Sequence, residues 1–275
     1  MMLLGTIPNP PLDMRTPATT DAIFSSISVL LAVAAVAYAL VLWKRERTAI
    51  PVLIVLGGGC AALIEPIVDV NGGCWWPRHG GWVAFHLFGT PVPIWAVAAY
   101  FWFVGGQAYL AWRVLKRYPT RQTIWKLCAA VAFVNFLLET PGLGLHIYKY
   151  WGHQPLNPYG WPLWWAAVNV GLPLVGAMLV YKLEPLLTGW RTLLVVPLIP
   201  MGDALANGAT AWPAWLTLHS NWPMPLAQVA GIAVFALAAL FYWSMSHLLF
   251  PEPATSVPPA ARDRTDAPAP LSVGA

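Results

Sequence analysis

Long apolar runs alternate along this chain with short polar breaks. Runs at 21–43, 49–70, 91–112, 124–146, 162–182 and 224–249 each reach the roughly 20 residues that an α-helix needs to cross a hydrocarbon core of about 30 Å, and a seventh at 191–210 is more polar. The pattern predicts an all-α fold: a polytopic bundle of about seven transmembrane helices forming one domain over 21–250. The Pro-rich, polar segments 1–20 and 251–275 are predicted to be disordered. No repeat of fixed period interrupts the pattern.

Composition agrees, since 58% of the 275 residues are hydrophobic and 9% charged, where a soluble domain carries about 25% charged residues. The expected location is the cell membrane, as a multi-pass protein. The first run is too long for a signal-peptide core, and its basic residues Lys44, Arg45 and Arg47 follow it, so it is expected to remain as a span.

Lys and Arg gather in cytoplasmic loops, and here they fix an expected orientation. With the N-terminus outside and the C-terminus cytoplasmic, only Arg15, Arg78 and Lys149 lie outside. The inner segments then hold Lys44, Arg45, Arg47, Arg113, Lys116, Arg117, Arg121, Lys126, Lys182, Arg191, Arg262 and Arg264. This dispersal accounts for the net charge of +4 without a nucleic-acid partner. Cys60 and Cys128 fall inside spans and Cys74 outside them, so no disulfide framework is expected. The histidines show no HxxxH or HExxH pairing, and neither a metal nor a cofactor is expected.

The outward-running segments carry their polar residues late: Glu65 and Asp69, then Asn135, Glu139 and His146, then Asp203 and Asn207. Residues four or seven apart share a helical face. Glu65 with Asp69, Asn135 with Glu139, Glu139 with His146, and Asp203 with Asn207 are therefore expected to face together. A charge in mid-bilayer costs roughly 2.5–3.5 kcal/mol, which turns such faces toward the bundle interior or a wet cavity. Pro66, Pro141, Pro197 and Pro200 lie close by and can open the helices there. Gly57, Gly58 and Gly59, and Gly105 with Gly106, read as helix-packing points, and Gly72-Gly73 and Gly80-Gly81 as turns.

Tryptophan is concentrated on the expected outer side, with Trp-Pro pairs at Trp76-Pro77, Trp161-Pro162, Trp212-Pro213 and Trp222-Pro223. An interfacial belt explains most of these rings, and the excess over the inner side suggests that some line a cavity where they can stabilise a cation. Two carboxylates on one face in a dry site do not both ionise easily, which supplies an acid beside a base. Glu65, one turn deeper than Asp69, is expected to be the drier of the pair and to hold the shared proton. The candidate catalytic residues are Glu65, Asp69, Glu139 and Asp203. The candidate substrate contacts are Trp75, Trp76, Asn135, His146, Trp161, Asn169 and Asn207. The chemistry they suit is acid-initiated cyclisation or dehydration of a lipophilic small molecule through a cationic intermediate.

The strings LIEPIVDVNGGCWWP, FLLETPGLGLHIYKYWGHQPL and YGWPLWWAAVNVGLPL resemble the AveC-like spirocyclase family, named for a membrane protein of avermectin biosynthesis. The E-P, E-x-P-G, Y-x-G-x-Q-P-L and W-P elements recur in the same order over most of residues 50–225. The resemblance implies spiroketal formation from a dihydroxy ketone of polyketide type, and an actinobacterial membrane as the typical home. Two other functions fit the same residues. A membrane terpene or meroterpenoid cyclase would use the acids to protonate an alkene or epoxide. A transporter or lipid-binding protein would place its site at the bilayer midplane, in a through-going cavity. The expected partners are a lipophilic small-molecule substrate and membrane lipids.

Overall fold

A computed structural model describes residues 9–252, so residues 1–8 and 253–275 of the segments expected to be disordered lie outside the described residues. The chain is a helix bundle. Its long elements are α1 (Ala18–Glu46), α6 (Arg121–Gly144) and α11 (Met224–Leu249). Continuous helical segments over Ile94–Arg117, Leu163–Leu186 and Gly189–Thr210 are also long and apolar enough to span, which gives six such segments. α2 (Ile50–Ala61) and α3 (Glu65–Gly72) qualify together as a seventh, bent by 43°.

The bend follows from Pro66. Proline has no N–H to return to the carbonyl one turn earlier, and its ring crowds that carbonyl. The chain answers with a tight turn, in which Ala62, Leu63 and Ile64 each donate three residues back, to Gly59, Cys60 and Ala61. Glu65 therefore starts a new helix and does not continue an old one.

The third span is also irregular. α4 (Ile94–Ala99) passes into α5 (Gly106–Arg117) through a π-helical segment, Tyr100–Gly105. It crosses α2 backbone to backbone: a Cβ on Gly58 would lie 2.3 Å from the Gly105 nitrogen, and one on Gly105 would lie 2.8 Å from the Val55 Cα. Gly106, expected to share this role, faces open space instead. The π segment turns its neighbour out of the contact. A second crossing joins α8 (Gly171–Leu183) to α9 (Val195–Thr210), where a Cβ on Gly202 would lie 2.3 Å from the Gly176 nitrogen.

Burial sorts the helices. The Leu163–Leu186 segment, comprising α7 (Leu163–Asn169), α8 and a short 3-10 turn, is 78% buried over its apolar window, against 22% for α1 and α6 and 28% for α11. The last three present rows of apolar side chains outward, among them Leu30, Val33, Phe133, Leu137, Val229 and Ile232, as helices bordering lipid do. One end of the bundle is filled by fully buried Trp112, Leu115, Ile124 and Met178. There Lys116 reaches Glu184 at 2.6 Å, Arg121 reaches Glu252 at 2.8 Å, and Arg113 pairs with Glu46.

The other end carries the short strands. β1 (Cys74–Trp75) pairs antiparallel with β4 (Lys149–Tyr150), and β2 (Val83–Leu87) forms a hairpin with β3 (Thr90–Pro93). α10 (Trp212–Leu218) packs beside them. In the N-terminal segment, the Arg15 backbone forms an isolated parallel β-bridge with His79, the Thr16 amide donates to the His79 carbonyl at 3.0 Å, and α1 begins at Ala18. Asp21, in the first turn of α1, accepts from the Trp82 amide at 2.8 Å and so ties the loop before β2 to the bundle.

Candidate active site

A cavity with about 870 Å³ of empty space, its open mouth included, lies at the strand-bearing end. Glu65, Asp69 and Glu139 all line it. Glu65 is the first residue of α3 and accepts a hydrogen bond from the Tyr100 hydroxyl of the π segment. Asp69 follows one turn later and is 3% exposed. The expectation that Glu65 would be the drier residue is reversed: Asp69 is buried, whereas Glu65 keeps partial exposure. The break before Pro66 opens the helix at Glu65, and Asp69 lies past it in the closed turn.

Glu139 reaches the cavity from α6 and is 8% exposed. Its Oε2 accepts from the Tyr148 hydroxyl at 2.6 Å and the Tyr150 hydroxyl at 3.2 Å, while Oε1 accepts from Asn169 Nδ2 at 3.4 Å. The same Asn169 nitrogen lies 3.4 Å from Asn135 Oδ1. Three neutral donors thus converge on one carboxyl group and fix its orientation. Tyr148 and Tyr150 are buried, and that burial, together with the Glu139 charge, pushes both phenols well above the usual tyrosine range. They stay protonated and remain donors. Burial and the neighbouring acids push the Cys74 thiol up in the same way.

The motif residues act together on this arrangement. Gln154 is 4% exposed; its Nε2 donates to the Gly72 carbonyl at 2.7 Å and the Trp151 carbonyl at 2.9 Å. Its Oε1 accepts from Trp164 Nε1 at 3.1 Å. It thus fastens the end of α3 to the loop after β4 and to α7. Trp161-Pro162 leads into α7, whose Asn169 meets Glu139. Gly73, with φ of 67°, caps α3 in the left-handed region that glycine adopts without strain, and turns the chain into β1.

Aromatic rings form a connected wall. Trp76 lies parallel to Trp95 with centroids 5.3 Å apart, and Phe24 of α1 meets Trp95 edge-on at 6.2 Å. Trp95 stacks on Tyr148 at 6.0 Å, Tyr148 meets Tyr150 at 5.9 Å, and Tyr150 meets Trp165 at 5.5 Å. All six rings line the cavity.

Other expected members fall outside it. Asp203 is 1% exposed and does not line the cavity; it holds Asn207 through Nδ2 at 2.8 Å, and Asn207 does line it. His146 is exposed, because α6 ends at Gly144 and His146 turns away with φ of 58°, so the seven-residue spacing from Glu139 is not carried by one helix. Trp75, the last residue of β1, does not line the cavity and packs beneath Arg78 at 5.1 Å. Trp161 packs against Phe136 at 5.3 Å and is not part of the lining.

Sequence reasoning did not single out Phe24, Cys74, Trp95, Tyr100, Tyr148, Tyr150 or Trp165 as site residues. Only the Tyr148/Tyr150 alternation carried a signal, that of two side chains on one face of an extended segment. Among the described residues no three His, Cys, Asp or Glu side chains converge with metal-ligand geometry. Comparison with protein-family models, with curated proteins and with solved structures finds no match.

Proposed function

We propose that this chain is an integral-membrane cyclase of the AveC-like type, which closes an oxygen ring on a lipophilic polyketide-like substrate by carboxylate acid–base catalysis. The observation that carries the reading is Glu139, an acceptor for three donors, sharing an aromatic-walled cavity with Glu65 and Asp69. In the proposed reaction a protonated Glu65 gives its proton to the hydroxyl of a hemiketal, and the C–O bond breaks with loss of one water. The resulting oxocarbenium ion is held against the faces of Trp76, Trp95 and Tyr148. The second hydroxyl of the substrate attacks it, and its proton passes to Glu139 or Asp69. A dihydroxy ketone thus loses one water overall and gains two ring C–O bonds, and the proton returns to Glu65 between turnovers.

Polar groups in the lining favour an oxygen-rich substrate over a terpene hydrocarbon. Trp165 Nε1 and Asn207 Oδ1 are buried without a partner in the protein, and Asn135 and Asn169 line the same space. A hydrocarbon would leave these atoms unpaired, at a cost of about 1–3 kcal/mol each. The filled core at the opposite end supports a closed reaction chamber over a transport path. The basic residues at that end support an orientation in which the chamber opens to the outer leaflet of the cell membrane, with the N-terminus outside.

The test is turnover of a lipophilic dihydroxy ketone by the purified full chain in lipid nanodiscs, read by chiral chromatography. The expected result is one spiroketal stereoisomer, formed about a hundredfold more slowly by Glu65→Gln and by Glu139→Gln. A racemic product formed at the rate of empty nanodiscs would overturn the reading.

A further inference from the structure

The cavity holds carboxylates and ring faces without a cation to answer them. Among the described residues that line it there is no Lys, Arg or His. The ion pairs of the described residues lie at the other end, on Glu46, Glu184 and Glu252. Glu139 accepts only from neutral donors, and no cation of the lining stands against it. The ring wall that adjoins it presents Trp95 and Tyr148, stacked with centroids 6.0 Å apart. Aromatic faces carry negative potential and attract an ammonium group within about 6 Å, most strongly where water is excluded.

An independent feature points the same way. Asn207 lines the cavity and is 2% exposed, and its amide nitrogen is committed to Asp203 at 2.8 Å. That commitment fixes the amide orientation and leaves Oδ1 as a buried acceptor with no partner in the protein. A buried acceptor of this kind calls for a donor from a ligand.

We infer that the cavity is a receptor for a lipophilic ammonium ion, an amine that carries positive charge on an apolar body. The charged nitrogen sits between the Glu139 carboxylate and the faces of Trp95 and Tyr148. Its apolar part lies against Phe103, Val104 and Leu138. A protonated tertiary amine adds one N–H that an acceptor of the site takes up, and a quaternary ammonium relies on charge and ring faces alone. The inference uses the same cavity as the cyclase reading but not its reaction, so an inactive protein would still bind.

The experiment is a binding titration on the purified full chain in an uncharged maltoside detergent. The probes are benzyltrimethylammonium, benzyldimethylamine, and neopentylbenzene as the uncharged isostere of the first. Binding is followed by tryptophan fluorescence, since Trp76, Trp95 and Trp165 line the cavity, and by isothermal titration calorimetry. Both cations should bind about tenfold more tightly than the isostere, and the preference should collapse in Glu139→Gln and in Trp95→Leu. Dihexanoylphosphatidylcholine is the competitor that separates sources: displacement of the probe assigns the site to a lipid headgroup, and failure to displace assigns it to a free amine. Equal affinity for benzyltrimethylammonium and neopentylbenzene would overturn the inference. So would a cation preference that persists unchanged in both folded variants. Failure of turnover with intact cation binding would instead remove the cyclase reading alone.

Discussion

Gly142 and Tyr148 together set the position of Glu139. A Cβ on Gly142 would lie 2.6 Å from Tyr148 Cε1, and the Tyr148 hydroxyl donates to Glu139 Oε2 at 2.6 Å. The glycine of the E-x-P-G element therefore makes room for a ring that orients the acid three residues before it. Gly142→Ala should push Tyr148 off Glu139 and lower turnover about tenfold, while overpacking costs about 1–3 kcal/mol of stability. Cyclisation rate and thermal unfolding in detergent, measured side by side, check this. Wild-type turnover in the folded variant would show that the contact does not matter.

The two tyrosines should differ in weight. Tyr148 donates to Glu139 at 2.6 Å and Tyr150 at 3.2 Å, and a shorter bond to a charged acceptor is the stronger one. Tyr148→Phe should slow turnover more than Tyr150→Phe. It should also cost more stability, on the order of 1.5–3 kcal/mol for a hydrogen bond to a charged group. The reverse ranking, by initial rate and unfolding temperature, would contradict the geometry.

Alkaline stability offers a separate check on the same pair. Their phenols are raised in the folded state by burial first and by Glu139 second, whereas an unfolded tyrosine titrates near about 10. A group raised on folding stabilises fully below its unfolded pKa and loses that contribution as pH rises toward its folded value. Unfolding temperature should therefore fall steeply once pH passes about 10, and Cys74, raised in the same direction, adds to the slope. In Tyr148→Phe/Tyr150→Phe the fall between neutral and strongly alkaline pH should be shallower. An identical slope in the double variant would show that these phenols ionise in place.

The spans were legible in the sequence because hydrocarbon thickness imposes a length that composition alone reveals. The break at Glu65-Pro66 was legible for a local reason, the missing N–H of proline. Convergence of Glu65, Asp69 and Glu139 followed from putting the polar residues of two helices at one depth. Asp203 obeyed the same depth rule, yet it turns to Asn207, because depth does not specify azimuth around a bundle. His146 was lost by extending a helical period through Gly142 and Gly144, where the helix stops. Tyr100 was hidden for a related reason: the π segment adds a residue to the turn, so the 3.6-residue phase does not carry across it. The aromatic wall draws Phe24 from α1, Trp95 from α4, Trp165 from α7 and Tyr150 from a strand of two residues, with Trp76 and Tyr148 beside the short strands, so no single period marks it.

The loop that precedes β2 should come loose without disturbing the bundle. Asp21 is 1% exposed and accepts from the Trp82 amide at 2.8 Å. Asp21→Ala leaves that amide unpaired at a cost of about 1–3 kcal/mol, whereas Asp21→Asn retains an acceptor. Limited proteolysis should cut near Arg78 much faster in the alanine variant than in the asparagine variant or wild type, with the rest of the chain protected. Equal cutting of all three would show that the backbone β-bridge of Arg15 with His79, and not Asp21, holds the loop.

Pro66 should govern where Glu65 sits. The 43° bend between α2 and α3 coincides with the residue whose missing N–H prevents a bond to Ala62. In Pro66→Ala that bond can form, and the three-residue turns at Ala62, Leu63 and Ile64 can relax into a continuous helix. Local stability should not suffer, since proline near the start of a helix is tolerated and alanine is a strong helix former. Glu65, however, would rotate away from Tyr100, and turnover should fall at least about tenfold for loss of a positioned acid. Hydrogen–deuterium exchange over 62–66 should slow in the variant as the helix closes, and unfolding temperature should hold or rise. Unchanged exchange with unchanged activity would show instead that the crossing at Gly58 and Gly105 imposes the bend. Gly58→Ala, which drives a methyl into the Gly105 backbone, would then be the change that moves Glu65.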